Sequence, residues 1–567
     1  MLTEALEAGQ LFKKKRCPFL WLLFFAFILL AEQSHAANLD DIYGTLLKKG
    51  DILYETGFDY FRMEEKGQHP VHLYGDFASR PSFWLIENLL HFALVDDFEF
   101  SLGSREAIPT TYGRSIYDPA GDLDTIQEYD INYFRDYILG VRLRREPLEY
   151  YLDILEKTQK DDWRAFTYPG SANYFSYIRS HYEDFSVGAR YLSQKGQEEE
   201  ESGLSLLIRP LLALRQLLVE ANLRYRKSSL RMNAYNYVSS TFTNFYQRID
   251  QHFSPGLTFG YGLQKELELE TGLIYTTPFK YHHEYRETRK TDMNWLNGAY
   301  KIDRNFKVPL ALRYRPKEFV EFRIASDLNF AEQRLDYLTR QTTGVITSYP
   351  TRELSYFNTQ PSLNLTYLCD HDKKINDDEF SRLTKRLLSQ GQWLVELGYL
   401  KDITSLDKGA GNASQNMIEP YNLFIYPVDL FVAGTEYATF FTGNYSRTAA
   451  NVLLQNYHLF KIMFNYGLTN WLNTGLRFGY QTASRLHHFT LGNPNQVYDV
   501  KERYYQFKPY YFIDFFTDLR VTENSLLSFA CHVVPEYRTI LKIEGLTKEF
   551  KENNKYFDLA LRLKILF

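Results

Sequence analysis

Tyr556-Phe557-Asp558-Leu559-Ala560-Leu561-Arg562-Leu563-Lys564-Ile565-Leu566-Phe567 closes the sequence, and its reading decides the fold class. Phe557, Leu559, Leu561, Leu563, Ile565 and Phe567 occupy one phase of a two-residue period; Asp558, Ala560, Arg562, Lys564 and Leu566 occupy the other. Successive side chains of a strand point to opposite faces, so this is a strand between an apolar medium and a wet one. A soluble sandwich carries the same alternation, and the rest of the chain must separate the two.

Of 567 residues, 45 are Tyr and 43 are Phe. Ordinary globular domains do not number Tyr among their commonest residues, whereas aromatic girdles at two membrane interfaces account for it. The mean hydropathy is negative. That argues against a bundle of apolar helices but not against a barrel, whose strands turn only every second residue to lipid. A net charge of −5 is too weak at this length for a nucleic-acid footprint.

The cluster Lys13-Lys14-Lys15-Arg16, the apolar run 19–31 and Ser34-His35-Ala36 follow the order of a secretory signal peptide. The apolar run is shorter than the about 20 residues a spanning helix needs. The expectation is a signal peptide over 1–36 cleaved near Ala36, a short periplasmic helix within 37–50 and a barrel over 51–567. Asp40 would cap that helix and Gly50 would follow it. Past the leader only Cys369 and Cys531 remain, which is no disulfide scaffold.

With leader and alternation in hand, the final strand resembles the signal that Gram-negative outer-membrane β-barrel proteins, a porin-like class, present to the barrel-assembly machinery. Leu559, Leu561, Leu563, Ile565 and Phe567 carry the resemblance, with Ala560 where small residues such as Gly are common. It implies the assembly machinery and outer-membrane lipid as partners, and an insertion route rather than an activity.

Strand, tight turn, strand recurs upstream. Leu257–Leu263, Gln264-Lys265-Glu266 and Leu267–Leu273 form one unit; Phe460–Tyr466, Gly467-Leu468-Thr469-Asn470 and Leu472–Tyr480 form another. Such connections fall near 93–97, 145–148, 212–216, 264–266, 315–318, 369–390, 467–470 and 516–524. Long polar, aromatic-rich stretches separate them, among them 157–202, 228–252, 279–305 and 403–456. This predicts an all-β, antiparallel up-and-down transmembrane barrel of about 18 strands (16–20), with short periplasmic turns and long extracellular loops. Phe185–Leu192, Ala234–Phe242 and Tyr437–Tyr445 also alternate and are read as strand extensions within the loops. A helix over Asp378–Gln390, with Phe380, Leu383, Leu387 and Leu388 on one face and Gly391 after it, is expected to fill the one long turn.

Turning the apolar phase of each strand to lipid leaves a charged phase inside. Candidate lumen-lining residues are Arg142, Arg144, Arg224, Arg226, Glu268, Glu270, Arg313, Arg315, Glu321, Arg323, Arg477, Arg562 and Lys564. Arg209, Lys461, Lys508, Glu55, Asp59, Glu99, Glu149, Asp153, Glu220, Glu396, Asp514 and Asp558 fall on the same phase. The signs balance, so no ion preference follows. Charges this numerous must be hydrated or paired. Arg313, Arg315, Glu321 and Arg323 suit a cross-strand ladder, and Glu55 and Asp59 suit Arg562 and Lys564 across the closing seam.

No catalytic, cofactor or metal site is expected. Adjacent imidazoles at His282-His283 point opposite ways on an extended chain, and Glu198–Glu201 reads as a solvated loop tip. No Cys-x-x-Cys-His, P-loop, His-Glu-x-x-His or Gly-x-Ser-x-Gly occurs. The expectation is a non-enzymatic, porin-like channel for small hydrophilic solutes; the alternative is an anchor or sleeve for a periplasmic or secreted partner. Replacing Phe567 and Ile565 together by Asp should leave the chain unassembled in the periplasm. Loss of heat-modifiable electrophoretic migration checks this, and a soluble sandwich would tolerate the change.

Overall fold

The computed structural model describes residues 46–567 apart from 69–75, 80–81, 109, 118–122, 168–171, 194–202, 237–240, 290–291, 341–345, 376, 409–448, 453–456, 491–500 and 544–548. Alternating, aromatic-rich stretches form strands, and the strands form one closed antiparallel barrel of 18. In chain order they are β1 Ile52–Gln68, β2 Ser82–Val95, β3 Phe98–Ile108, β4 Leu123–Arg145, β5 Leu148–Thr167 and β6 Ala172–Leu192. Next come β7 Leu217–Asn236, β8 Thr241–Gln264, β9 Leu267–Thr276, β10 Asp292–Lys317, β11 Val320–Arg340 and β12 Ser362–Cys369. The last are β13 Trp393–Lys401, β14 His458–Thr469, β15 Leu472–Gln481, β16 Tyr510–Thr522, β17 Ser525–Ile543 and β18 Glu549–Leu566.

Each strand pairs with its neighbours in sequence, and Leu53–Gly67 pairs with Glu552–Leu566 to close the ring. Several strands are extended by a second segment across a short break, such as Phe279–Arg289 beyond β9 and Ser484–Thr490 beyond β15. At two breaks a threonine hydroxyl completes the ladder: Phe253 N–H donates to Thr277 Oγ1 (3.1 Å) and His458 N–H to Thr482 Oγ1 (2.8 Å).

One face of every strand turns apolar side chains outward. Leu102 is 50% exposed, Leu273 52%, Phe460 48% and Leu476 47%. A continuous exposed apolar belt is incompatible with water and is the lipid face of a membrane barrel. Aromatic rings mark its edges. Trp84 lies between Phe58 (4.6 Å) and Tyr60 (4.1 Å), and Phe330 between Phe306 (4.7 Å) and Phe357 (5.0 Å). Trp393 and Tyr466 (4.3 Å) mark the opposite edge. The chain is an outer-membrane β-barrel, and its short turns mark the periplasmic side.

Six periplasmic connections are two-residue turns; Asp97 at φ 65° takes the left-handed position that Asp tolerates. Two are long, 193–216 and 370–392. The first corrects the sequence reading. Phe185–Leu192 is not an extension above the membrane but the periplasmic end of β6, paired with β5 and β7. Residues 203–211 are not a strand: they carry the short helix α1, Leu204–Leu207, because Leu204, Leu206, Leu207 and Ile208 do not alternate and pack inward. Glu198–Glu201 lies outside the described residues.

The helix expected over Asp378–Gln390 is shorter. α2 spans Glu379–Leu383, capped by Asp378 accepting from Ser381 N–H (2.8 Å), and Thr384 ends it by donating to Phe380 O (2.7 Å). The expected helix at 40–49 begins outside the described residues, and Leu46–Lys48 are not helical. Much of what reads as loop is hairpin: β10 runs for 26 residues and β8 for 24, where about 10 suffice to cross a bilayer. Tyr437–Tyr445 and the side chains of His282-His283-Glu284 lie outside the described residues.

At the closing seam Arg562 donates to both Asp59 oxygens (2.6 and 2.7 Å) and reaches Glu87 (3.0 Å), while Lys564 donates to Glu55 (2.8 Å). Arg562→Glu should destabilise the folded barrel by roughly 2 kcal/mol through acid facing acid. Arg562→Glu with Asp59→Arg should recover most of it, read as the urea midpoint of heat-modifiable migration.

Candidate functional site: the lumen and its periplasmic floor

The inward phase pairs its charges across strands. Arg142 stands opposite Glu99. Arg144 donates twice to one Glu149 oxygen (2.9 and 2.7 Å), and Arg190 donates to the other (3.1 Å). Arg190 continues to Glu220 (3.2 Å) and lies over the Tyr151 ring. Arg224 and Arg226 converge on Asp184. Arg209 holds Glu268 and Glu270, and Glu321 takes both Arg313 (3.1 and 3.0 Å) and Arg315 (3.0 Å). Arg323 stands opposite Arg313 and Asn364. Arg477 meets Asp514 (3.0 Å), which also bonds His532. Asp184 and Arg190 escaped the sequence reading because β6 was placed in a loop; the same two-residue phase, carried through 172–192, finds them.

These pairs differ in wetness along the barrel. The Arg224 side chain is 37% exposed and that of Arg477 42%. Near the periplasmic end Glu220 and Glu268 are 0% exposed and Arg313 2%. The wall above is mixed: Arg224 and Arg477 are part-exposed, whereas Asp136, Asp327, Asn358 and Asp402 are buried.

The packing comes from three straps. Leu46-Leu47-Lys48-Lys49-Gly50-Asp51-Ile52-Leu53-Tyr54-Glu55, Leu211-Leu212-Ala213-Leu214-Arg215-Gln216-Leu217-Leu218-Val219-Glu220 and Leu387-Leu388-Ser389-Gln390-Gly391-Gln392-Trp393-Leu394-Val395-Glu396 share one pattern: Leu-Leu-x-x-x-(Asp/Gln)-x-Leu-x-Glu. Each leads into a strand, β1, β7 or β13, six strands apart around the ring. The bonding repeats with the sequence. Leu47 N–H donates to Glu99 (3.3 Å), Leu212 N–H to Glu268 (2.8 Å) and Leu388 N–H to the Asn473 amide oxygen (2.8 Å). The Asp or Gln side chain closes each turn: Asp51 accepts from Lys48 N–H, Gln216 from Ala213 N–H and Gln392 from Ser389 N–H. Gly50, Arg215 and Gly391 take positive φ, and their N–H groups donate to the carbonyls of Ala93, Gly262 and Gly467. A Cβ on Gly262 or Gly467 would collide with the strap carbonyls of Ala213 and Ser389, so glycine permits the approach. The barrel is thus a threefold internal repeat of six strands and one strap. The ten-residue pattern, present three times in the sequence, is the signal that a search for repeats uses.

The straps meet as an apolar floor. Leu47, Leu53 and Ala93 touch Leu383; Phe380, Leu387 and Leu526 touch Leu566; Leu388, Leu394 and Leu368 touch Leu204. The most deeply buried large side chains among the described residues, Leu47, Leu204, Leu212, Leu218, Leu368, Leu388, Leu526 and Gln216, are all at this end. Arg386 donates to Leu206 O (3.0 Å), and Lys48 meets Glu379 (2.6 Å), so the three segments are tied to one another.

The repeats differ in how the strap is held. Arg144, Arg315 and Arg520 are equivalent, each donating its N–H across the neighbouring turn, to Asp97, Glu266 and Trp471. Arg144 and Arg315 bond wall carboxylates, Glu149 and Glu321. Arg520 instead bonds Asp378 of the third strap, and Asp518 takes that strap's Lys385 (2.6 Å). The Lys385 side chain is 47% exposed and the strap-side Arg209 of the second repeat 2%. The second strap is locked by buried ions, whereas each pair at the third joins an exposed strap group to a largely buried wall group.

Burial of Asp377 favours its neutral acid, but the Arg382 and Arg386 guanidiniums outweigh it and hold the carboxyl below its ordinary 3.8. Burial acts likewise on Asp378, and Arg520 with the Ser381 N–H holds it below 3.8. A depressed carboxyl stabilises the docked strap above its ordinary value and ceases to as pH falls through the lowered one. The 380–388 amides should therefore keep their hydrogen-exchange protection, corrected for intrinsic rate, from neutral pH to about pH 4 and lose it at about pH 2. Loss already at about pH 6 would contradict this latch.

No protein-family pattern matches the chain, and no curated protein sequence matches it. Solved structures do. The siderophore receptor PiuA from Acinetobacter baumannii is 8% identical with a TM-score of 0.42, over 92% of this chain and 82% of that one. FpvA of P. aeruginosa bound to a heterologous pyoverdine is 9% identical with a TM-score of 0.39, over 92% and 72%. The P. putida toluene transporter TodX is 8% identical with a TM-score of 0.29, over 91% and 90%. All are similar to this chain as barrels.

Proposed function

We propose that the barrel is a channel for small hydrophilic solutes, closed at rest by its periplasmic floor. The observation that carries this is the packing of the periplasmic end: among the described residues the large side chains with least exposure, Leu47, Leu204, Leu212, Leu218, Leu368, Leu388, Leu526 and Gln216, lie there, while Arg224 and Arg477 on the wall above are paired and part-exposed. A barrel of 16–18 strands has room for an aqueous path, and paired charges of both signs keep that path wet without selecting strongly by sign. The third strap is the element that moves. Its latch, Asp378–Arg520 and Lys385–Asp518, joins an exposed strap group to a largely buried wall group in each pair, so water reaches one partner of each.

Planar-bilayer conductance tests the reading. The wild-type barrel should show small or rare steps. Asp378→Arg with Lys385→Glu sets like charges against Arg520 and Asp518, and should raise open probability about tenfold or more, as expected when about 1.4 kcal/mol of latch is removed. An assembled reversed-charge barrel with no conductance would sink the channel and leave the non-enzymatic anchor or sleeve for a periplasmic or secreted partner.

A further inference from the structure

The outward face of the seam β17–β18–β1 changes character just beyond the aromatic edge. Phe557 and Tyr60 (6.2 Å between rings) and Trp84 end the apolar belt. Two residues further along the same outward phase comes Lys555, then Asn553, then Lys551, all exposed. Lys66 and Arg538 are the register partners of Asn553 on the two flanking strands, and both are exposed. Cross-strand partners lie about 5 Å apart and same-face neighbours on one strand about 7 Å apart. Four cationic side chains therefore ring one asparagine.

Three acids share this face. Glu64 is held by Arg62 (3.0 Å) and Glu536 by Arg538 (3.0 and 3.1 Å), while Glu549 lies beyond Lys551. Lys66, Lys551 and Lys555 make no ion pair among the described residues. Unpaired lysines on a membrane-facing wall, one to three residue pairs above an aromatic girdle, stand at headgroup depth on the extracellular side. A compact ammonium is a point charge suited to phosphate, and the rings beneath give acyl chains and sugar faces a flat apolar surface.

We propose that this patch binds a phosphate-bearing glycolipid of the outer leaflet, with its phosphates among Lys66, Lys551, Lys555 and Asn553 and its acyl chains over Phe557, Tyr60 and Trp84. The occupant is a lipid rather than a free anion, because the cations are continuous with the lipid belt on one outward phase. The site lies outside the lumen and does not depend on the channel reading.

Binding of diphosphoryl lipid A, its dephosphorylated counterpart and pyrophosphate to the detergent-solubilised full-length barrel tests it, by native mass spectrometry. The diphosphoryl lipid should bind about tenfold or more tighter than the dephosphorylated one. Lys66→Gln with Lys551→Gln and Lys555→Gln should lose about fivefold per charge. Lys265→Gln, in a periplasmic turn, should bind as wild type. Unchanged binding by a triple variant that migrates as an assembled barrel overturns the proposal. So does equal binding of the two lipids, or displacement of the lipid by equimolar pyrophosphate, which would make this a site for free anions. Should the triple variant not assemble, wild-type salt dependence decides: only phosphorylated-lipid binding should weaken with added NaCl, and equal affinity at low and high salt overturns the proposal.

Discussion

A backbone N–H or C=O left unbonded in hydrocarbon costs several kcal/mol, and a sheet has two edges full of them. The pairing of Leu53–Gly67 with Glu552–Leu566 removes both edges at once, and every other feature of the molecule presupposes it. Closure settles which phase of each strand sees lipid and therefore which charges share the enclosed water. Arg562 with Asp59 and Lys564 with Glu55 select the register, since a slip by one residue would send these charges into lipid and Leu561 and Leu563 into the lumen.

Once the ring is closed, its inner face carries more ions than a dry core accepts. Cross-strand pairing answers part of this, and water in the upper lumen answers the rest. The most deeply buried large side chains among the described residues are at the periplasmic end, where one device recurs three times: two leucines turned inward, a polar side chain closing the turn behind them, and a wall side chain receiving the second leucine's amide. One copy departs from the other two, with one partner of each of its ion pairs on the strap rather than on the wall.

The class of fold was legible because lipid imposes a local rule. Phe557 to Phe567, and the hairpin arms around 264–266 and 467–470, state their phase in a dozen residues without reference to anything distant. The seam partners followed from the same rule. What failed did so where the rule stops. Residues 203–211 are apolar because straps and wall bury them from inside, not because lipid touches them, so their leucines mimic a strand without its period. Displacing that one strand put Phe185–Leu192 in a loop and hid Asp184 and Arg190. Residues 378–390 look helical by spacing, yet only Glu379–Leu383 coils, because Leu387 and Leu388 are buried equally well by an extended strap. The threefold repeat was written in the sequence but spread over stretches about 170 residues apart, beyond the reach of any local window.

By itself, then, the sequence determined the barrel, its membrane setting and the sign of most inward residues, since a strand's phase is a property of neighbours two residues apart. Only the tertiary structure decided which ion meets which, that the connections pack an apolar floor, and that one strap is held by half-exposed rather than fully buried pairs. Those depend on strand register and on how far a connection reaches into the lumen, and both are set by closure of the whole ring rather than by any one segment.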